Sequence, residues 1–526
     1  VSAAEPTPDV PRTAPAREWR RVHPITPVVR GWAVIAVLLF VVGQQLAEGV
    51  EYADAVVDGV AQVWWIVVVL VVVLLAVIFG VSALAWRMTS YAVDDDAAHL
   101  RRGILFRQQR HARLDRLQAV DVRQPLLARL FGLAELTLEV AGGSDSGVVI
   151  GFLRLDDAKQ LRAELLARAA GVKARRTDGR TVGVADGGTA GPSAAYATAD
   201  GDAAPVTAEL AEPAQEAPEN LVYEVPPGRL VVSLLRLPAV WIALAVLVGL
   251  VVFVAATQAV GVLFSMLPVA LGVGTFLFNR FAGEFGFRAA ISPDGIRLRH
   301  GLLETRAQTI PPGRVQALEL TQGLWWRGKD WWRITVNVAG YGSEDQNGTQ
   351  NVLLPVGPRS EALAALWLVL PDLGADELTE LLDEGLAGDS RTDRFFTTSP
   401  RRARLLDPLS WRRNGFAVAD RALLLRGGRL TRRLSVVPHE RTQSLGLEQG
   451  PWQRGRGLAT FAVHSTPGPV TTRSHHLDAP DAVHLLSEQA VRARTARAHQ
   501  VPERWMERVA PLARSRPTDG DAEETP

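Results

Sequence analysis

Arg102-Gly103-Ile104-Leu105, followed at a fixed distance by Arg116-Leu117-Gln118-Ala119-Val120 and then by Gln124 and Arg129, is the stretch on which the fold turns. The same frame returns as His300-Gly301-Leu302-Leu303, Arg314-Val315-Gln316-Ala317-Leu318, Gln322 and Arg327. It returns again as Gly427-Gly428-Arg429-Leu430, Arg441-Thr442-Gln443-Ser444-Leu445, Gln449 and Arg454. The spacing from glycine to arginine, and on to the later glutamine and arginine, is the same each time, so the chain carries three copies of one domain.

Around that frame, Leu136-Thr137-Leu138-Glu139-Val140, Ile296-Arg297-Leu298-Arg299 and Arg333-Ile334-Thr335-Val336-Asn337-Val338 read as half-buried antiparallel strands. The repeated glycine predicts a tight hairpin, where a positive φ costs little. Each copy ends on a predicted helix: Asp156 to Ala169, Ser360 to Leu370, and Ala479 to Ala498 entered through Pro480. Arginine and glutamine two apart, as in Arg116 and Gln118, share one face of a strand. Their reading is structural, since loop ends rather than strand middles usually recognise ligands.

Between and before the copies lie long apolar blocks. Gly31 to Ala47 and Gly59 to Trp86 hold no charge, and Leu237 to Asn279 is uncharged over about twice the 20 or so residues of one bilayer crossing. A turn near Ala256-Thr257-Gln258 would fold that block into a hairpin, so the expectation is four transmembrane helices in two hairpins. Arg17, Arg20, Arg21 and Arg30 precede the first block, and Arg87, Arg101 and Arg102 follow the second. The loop between them has Glu48, Glu51, Asp54 and Asp58 but no Lys or Arg, which predicts a multi-pass inner-membrane chain with both termini and all three copies cytoplasmic.

Arg102-Gly103-Ile104-Leu105-Phe106-Arg107, then Leu114-Asp115-Arg116-Leu117-Gln118-Ala119-Val120-Asp121-Val122-Arg123-Gln124 and Leu130-Phe131-Gly132-Leu133-Ala134, closely resemble the bacterial type-2 pleckstrin-homology (PH) domain of YdbT-like membrane proteins. The resemblance runs from the first apolar block to about Ala498. It implies an integral membrane α plus β protein with three PH-like β-barrel domains, each closed by a C-terminal helix, and it brings no enzymatic activity with it. The second copy departs from the pattern by carrying Lys329-Asp330-Trp331-Trp332 in place of Phe131-Gly132-Leu133-Ala134. The expected partition is a tail (1–27), a hairpin (28–86), a PH-like domain (87–170), an acidic linker (171–227), a second hairpin (228–280) and a second domain (281–388). A joint (389–406), a third domain (407–498) and a tail (499–526) complete it. The linker lacks Lys and Arg from Thr181 to Gly228 and shows no hydrophobic period.

Composition narrows function by exclusion. With no cysteine in 526 residues, thiolate metal sites, iron–sulfur clusters and cysteine nucleophiles are absent. The 57 basic and 56 acidic residues leave a formal charge of +1, so no global field draws the chain to nucleic acid. No phosphate loop, dinucleotide glycine pattern, nucleophile elbow or H-E-x-x-H helix is present. His464, His475, His476 and His484 lack the i, i+4 spacing of a preformed metal site, so no metal or cofactor is expected.

Two clusters are candidates for contact with a membrane surface. Trp325-Trp326 and Trp331-Trp332 flank Arg327 and Lys329; both core packing and headgroup contact fit such a mixture. The segment Arg401 to Arg441 holds eleven arginines. Within it Trp411-Arg412 stands at the distance before Gly428 that separates Trp86-Arg87 from Gly103, and Arg413, Arg429, Arg432 and Arg433 lie close by. Either a solvated basic face or a surface for anionic lipid accounts for them. The functional expectation is a non-enzymatic scaffold binding membrane lipids and a protein partner or a second copy of itself, with a role in envelope maintenance or stress tolerance. The alternative is a transporter or export accessory.

Overall fold

The computed structural model describes residues 19–24, most of 79–140, 147–168, and 220–499 apart from 258–260, 293–294, 312 and 340–350. Residues 28–68, which hold the first predicted span, and nearly all of the acidic linker lie outside the described residues. Among the described residues each copy has seven strands. The first has β1 (Arg20–Arg21), β2 (Ser90–Val93), β3 (Ala97–Arg102), β4 (Gln108–Arg113), β5 (Leu117–Pro125), β6 (Leu133–Val140) and β7 (Val148–Arg154). The second has β8 (Asn220–Glu224), β9 (Arg288–Ser292), β10 (Gly295–His300), β11 (Glu304–Ile310), β12 (Val315–Gln322), β13 (Trp331–Val338) and β14 (Val352–Pro358). The third has β15 (Thr397–Thr398), β16 (Gly415–Val418), β17 (Ala422–Gly427), β18 (Arg432–Pro438), β19 (Ser444–Glu448), β20 (Leu458–His464) and β21 (Arg473–Asp478).

The chain divides into two units, each with its own packing. In the first, β1-β2-β3-β4 form an antiparallel sheet and β6 pairs with β7. Val22 sits against Gly151, whose φ of +108° favours glycine and where a Cβ would lie 3.0 Å from Val22 Cγ1. Residues 155–166 are helical, close to the expected Asp156 start.

The second unit takes in β5 together with all strands from β8 onward. There β5 pairs antiparallel with β11, which continues through β10 and β9 to β8. A separate sheet of seven strands runs β14-β13-β12-β18-β17-β16-β15, and β19-β20-β21 form a third. The seven-stranded sheet alternates as a strand buried on both faces must. Leu318, Leu424, Leu434 and Val436 join the core beneath the helices Arg359–Val369 and Leu378–Ala387. Ala317, Leu423, Leu425 and Val437 instead pack with Phe461, Leu477 and Leu485, the last from the closing helix Ala479–Ala498.

Two expectations are corrected here. No sheet closes into a barrel: β12, which would close the second copy on itself, gives its edge to β18 of the third, so its backbone groups are satisfied in a neighbouring copy. Four membrane helices and a multi-pass placement are also not found, because among the described residues one helix, Pro238–Thr257, is long and apolar enough to cross a bilayer. Its successor Gly261–Glu284 has no charge up to Asn279, but its end belongs to the second domain. There Ala282 is buried, and Glu284 lies 2.6 Å from Arg333 of β13 and 3.6 Å from Arg280. The helix past Asn279 therefore docks on protein rather than lipid.

Candidate functional site

The bilayer-length helix rises from a short amphipathic one. Pro227–Leu235 starts with proline at its first turn, buries Leu230 and Leu234, and ends at Arg236, two residues before Pro238 opens the long helix. Beside this corner lies the 3-10 turn Leu324–Lys329, closed by Asp330 in a left-handed conformation (φ 48°). The turn divides its tryptophans by direction. Trp326 is buried and its Nε1 donates to the Ser233 carbonyl at 3.1 Å, while fully buried Trp332 donates to Asp330 Oδ1 at 2.9 Å.

Trp325 points the other way and is 40% exposed. Its ring meets Trp241 edge to face, centroids 6.0 Å apart, and Trp241 Nε1 donates to the Leu235 carbonyl at 2.8 Å. The Arg236 guanidinium lies over half-buried Trp331 at 5.5 Å. Between these groups is an open cavity of about 750 Å³ lined by Leu235, Arg236, Trp241, Leu324 and Trp325. Its walls are apolar with one cation at the rim, as at the boundary between acyl chains and headgroups. Lys329 is exposed nearby, whereas Arg327 donates to the carbonyls of Arg429 and Leu430. Burial, reinforced by Arg432 and Arg429, lowers the Arg327 pKa.

The same place in the other copies also shows apolar side chains to solvent. Leu126–Leu130 exposes Leu126 and Leu130 with Phe131 just after, and Pro451–Arg454 exposes Trp452 at 73%. Trp241 was not legible as a site residue, because inside an uncharged block one ring looks like any other apolar residue.

The arginines of the third copy serve several ends. Arg426 is buried, donates to both oxygens of Asp393 at 2.8 and 2.7 Å, and also bonds the carbonyls of Arg413 and Glu384. Arg413, equally enclosed, donates to the carbonyls of Gly385, Leu386 and Gly388 at the end of helix Leu378–Ala387. It neutralises the negative helix terminus from inside the protein, and burial pushes it down to about 9. Arg432 donates to Gln322 at 3.1 Å, and Arg412 stacks over half-buried Trp411 at 5.2 Å. Arg429 and Arg433 border an open cavity of about 450 Å³ that also meets Arg473, Glu319 and Asp407. In the first copy Trp86 Nε1 donates to the Val22 carbonyl at 2.8 Å, with Arg87 exposed beside it.

Among the repeat residues, Gly103, Gly301 and Gly428 have φ of 117°, 111° and 70°, and a Cβ on Gly301 would fall 1.8 Å from the Glu304 carbonyl oxygen. Gln322 is fully buried and donates to Asp330 Oδ1 at 2.9 Å; Gln449 donates to the Leu458 carbonyl. Gln316 is buried and donates to the Arg314 carbonyl at 3.2 Å. Arg314 and Arg441 are half-buried near one another, and burial lowers the Arg314 pKa. Gln124 is half-buried, while Arg116, Arg129, Gln443 and Arg454 are exposed; the side chain of Gln118 lies outside the described residues. No group of three His, Asp or Glu side chains is placed to hold a metal ion among the described residues.

The chain matches the family model for the bacterial PH domain three times, over residues 37–169, 232–366 and 398–492, more than half its length. It is also 24% identical over 90 residues to the UPF0699 transmembrane protein YdbT of Bacillus subtilis (strain 168). That segment covers 17% of this chain and 18% of the relative. No solved structure matches.

Proposed function

Because this chain belongs to the bacterial PH-domain family, a fold typically non-catalytic and associated with lipid or protein binding, we propose that it is a membrane-associated scaffold whose second domain rests at the lipid headgroup level. The observation that carries this reading is the contact between Trp325 and Trp241. It joins an outward-facing indole of the domain to the first turn of the helix Pro238–Thr257, so if that helix enters a bilayer the cavity beside it opens at the interface. Arg236 and Lys329 add cationic groups, each contributing about 1 kcal/mol near an anionic surface. Trp86, Arg87, Trp411, Arg412, Arg429 and Arg433 are secondary contacts in this reading. Arg413, enclosed at a helix end, is not.

The chain is non-enzymatic, and the scaffold role places binding rather than turnover at this corner. A role in envelope maintenance or stress tolerance belongs to the same proposal.

The absence of cysteine makes the test direct. A polarity-sensitive dye on Trp325→Cys, in the full chain reconstituted into anionic nanodiscs, should shift to the blue and be quenched by lipids spin-labelled at the headgroup. The same dye on Arg391→Cys, exposed in the joint before the third copy, should show neither. Equal behaviour at the two positions would remove the proposal.

A further inference from the structure

Neighbouring copies are joined by strand pairing, and the register of that pairing repeats. At the first junction β5 pairs with β11, with Arg123 facing Arg306 and Val122 facing Ala307. At the second β12 pairs with β18, with Thr321 facing Arg433 and Gln322 facing Arg432. Arg306 and Arg433 each stand five residues after their own hairpin glycine, Gly301 and Gly428. Arg123 and Thr321 each stand twenty after theirs, Gly103 and Gly301. Two junctions differing in most side chains thus share one alignment, so it belongs to the repeat and not to any one pair of sequences.

Among the described residues, two strands are left over as the matching halves of a third such junction. β4, the counterpart of β11 and β18, is the last strand of its sheet, and β19, the counterpart of β5 and β12, is the last of its own. Exposure is greater where the neighbour is missing: β4 exposes four of its six residues, whereas Glu304–Ala307 of β11, paired at the first junction, are half-buried. β18 buries its last five residues and β12 all but Thr321, whereas β19 buries none and β4 only Ala112. An edge strand leaves a row of backbone donors and acceptors able to take up another strand. Applied to these strands, the shared register sets Glu448 opposite Gln108 and Gln449 opposite Arg107. The latter restores the Gln–Arg pair that Gln322 and Arg432 make at the second junction, where the Arg432 guanidinium donates to the amide oxygen at 3.1 Å.

We infer that β19 of one molecule adds antiparallel to β4 of a second copy of this chain in that register, continuing head to tail the pairing that joins its own domains. The contact is heterologous, so it makes a ring if the rotation closes and an open string if it does not. It requires nothing of the lipid site proposed above.

Gln108 and Glu448 are both exposed, so cysteine at either leaves the core intact; Glu448 gives up only a surface pair with Arg473. The full chain carrying Gln108→Cys is mixed in mild detergent with the full chain carrying Glu448→Cys and oxidised. A disulfide-linked band at twice 56.9 kDa is expected, since facing strand residues lie within disulfide reach. Gln109→Cys mixed with Glu448→Cys is one residue out of register and on the opposite face, and should lose that band. A chain with both Gln108→Cys and Glu448→Cys should give a ladder of multimers. No band from the first mixture, equal bands from both, or a double variant that closes only on itself as a monomer would each overturn the inference.

Discussion

The second and third copies differ most in what lies between their first and second strands. After β8 the second copy inserts the helices Pro227–Leu235, Pro238–Thr257 and Gly261–Glu284 before returning at β9. After β15 the third has only residues 399–414, with the 3-10 turn Arg401–Leu405, before β16. Both returns are secured by buried ions. In the second, Glu284 meets Arg333 and Arg280 where the last helix re-enters the domain; in the third, Arg426 binds Asp393 and Arg413 the end of helix Leu378–Ala387. The strand frame tolerates either insertion because the hydrogen bonds from β9 to β11 and from β16 to β18 do not depend on how the chain arrives.

Removing the ion at each return tests this comparison most severely. Arg426→Ala leaves the largely buried Asp393 carboxylate without its guanidinium and should destabilise the third domain by about 3–5 kcal/mol, read by hydrogen exchange of β17 in the full chain. A loss below about 1 kcal/mol would mean that the arginine is not what holds the return. Arg333→Ala should cost the second domain less, about 1–3 kcal/mol, because Arg280 still stands 3.6 Å from Glu284. Equal losses would break the contrast.

Acid should separate the copies further. His439, which stands where the second copy has Pro312, is buried, lies 2.9 Å from the Ala419 carbonyl and accepts from Gln489 at 3.0 Å. Burial holds its pKa below the ordinary 6.5; Arg492 adds to the depression, against the Ala419 hydrogen bond and the charges of Glu440 and Asp420. The unfolded chain therefore takes the proton first as pH falls. The stability that neutral His439 supports is fully present above about pH 6.5 and is lost as pH drops toward the lowered folded value. Protection factors in helix Ala479–Ala498, which remove the intrinsic pH dependence of exchange, should fall between pH 7 and pH 5, and His439→Gln should flatten that fall. The smallest effect belongs to Trp325→Ala, expected within about 0.5 kcal/mol of the parent in unfolding because the ring is largely outside the core. A larger loss would move Trp325 from the lipid-facing surface into the core beside Trp326.

Three copies, their hairpin glycines, most of their strands and the apolar helix Pro238–Thr257 were determined by the sequence, because each rests on a local rule. A positive φ calls for glycine, alternation marks a half-buried strand, and an uncharged run of bilayer length forms a helix. Tertiary structure alone decided which strand each edge pairs with, so an expected barrel became sheets shared between copies. It also sorted residues of the same kind within one cluster: Trp326 and Trp332 inside, Trp325 outside, and Arg413 and Arg426 enclosed while Arg412 stays nearer the surface. The physical reason is distance along the chain. The partners of Arg426, Trp326 and β12 lie 33, 93 and more than 100 residues away, and no local period carries that information.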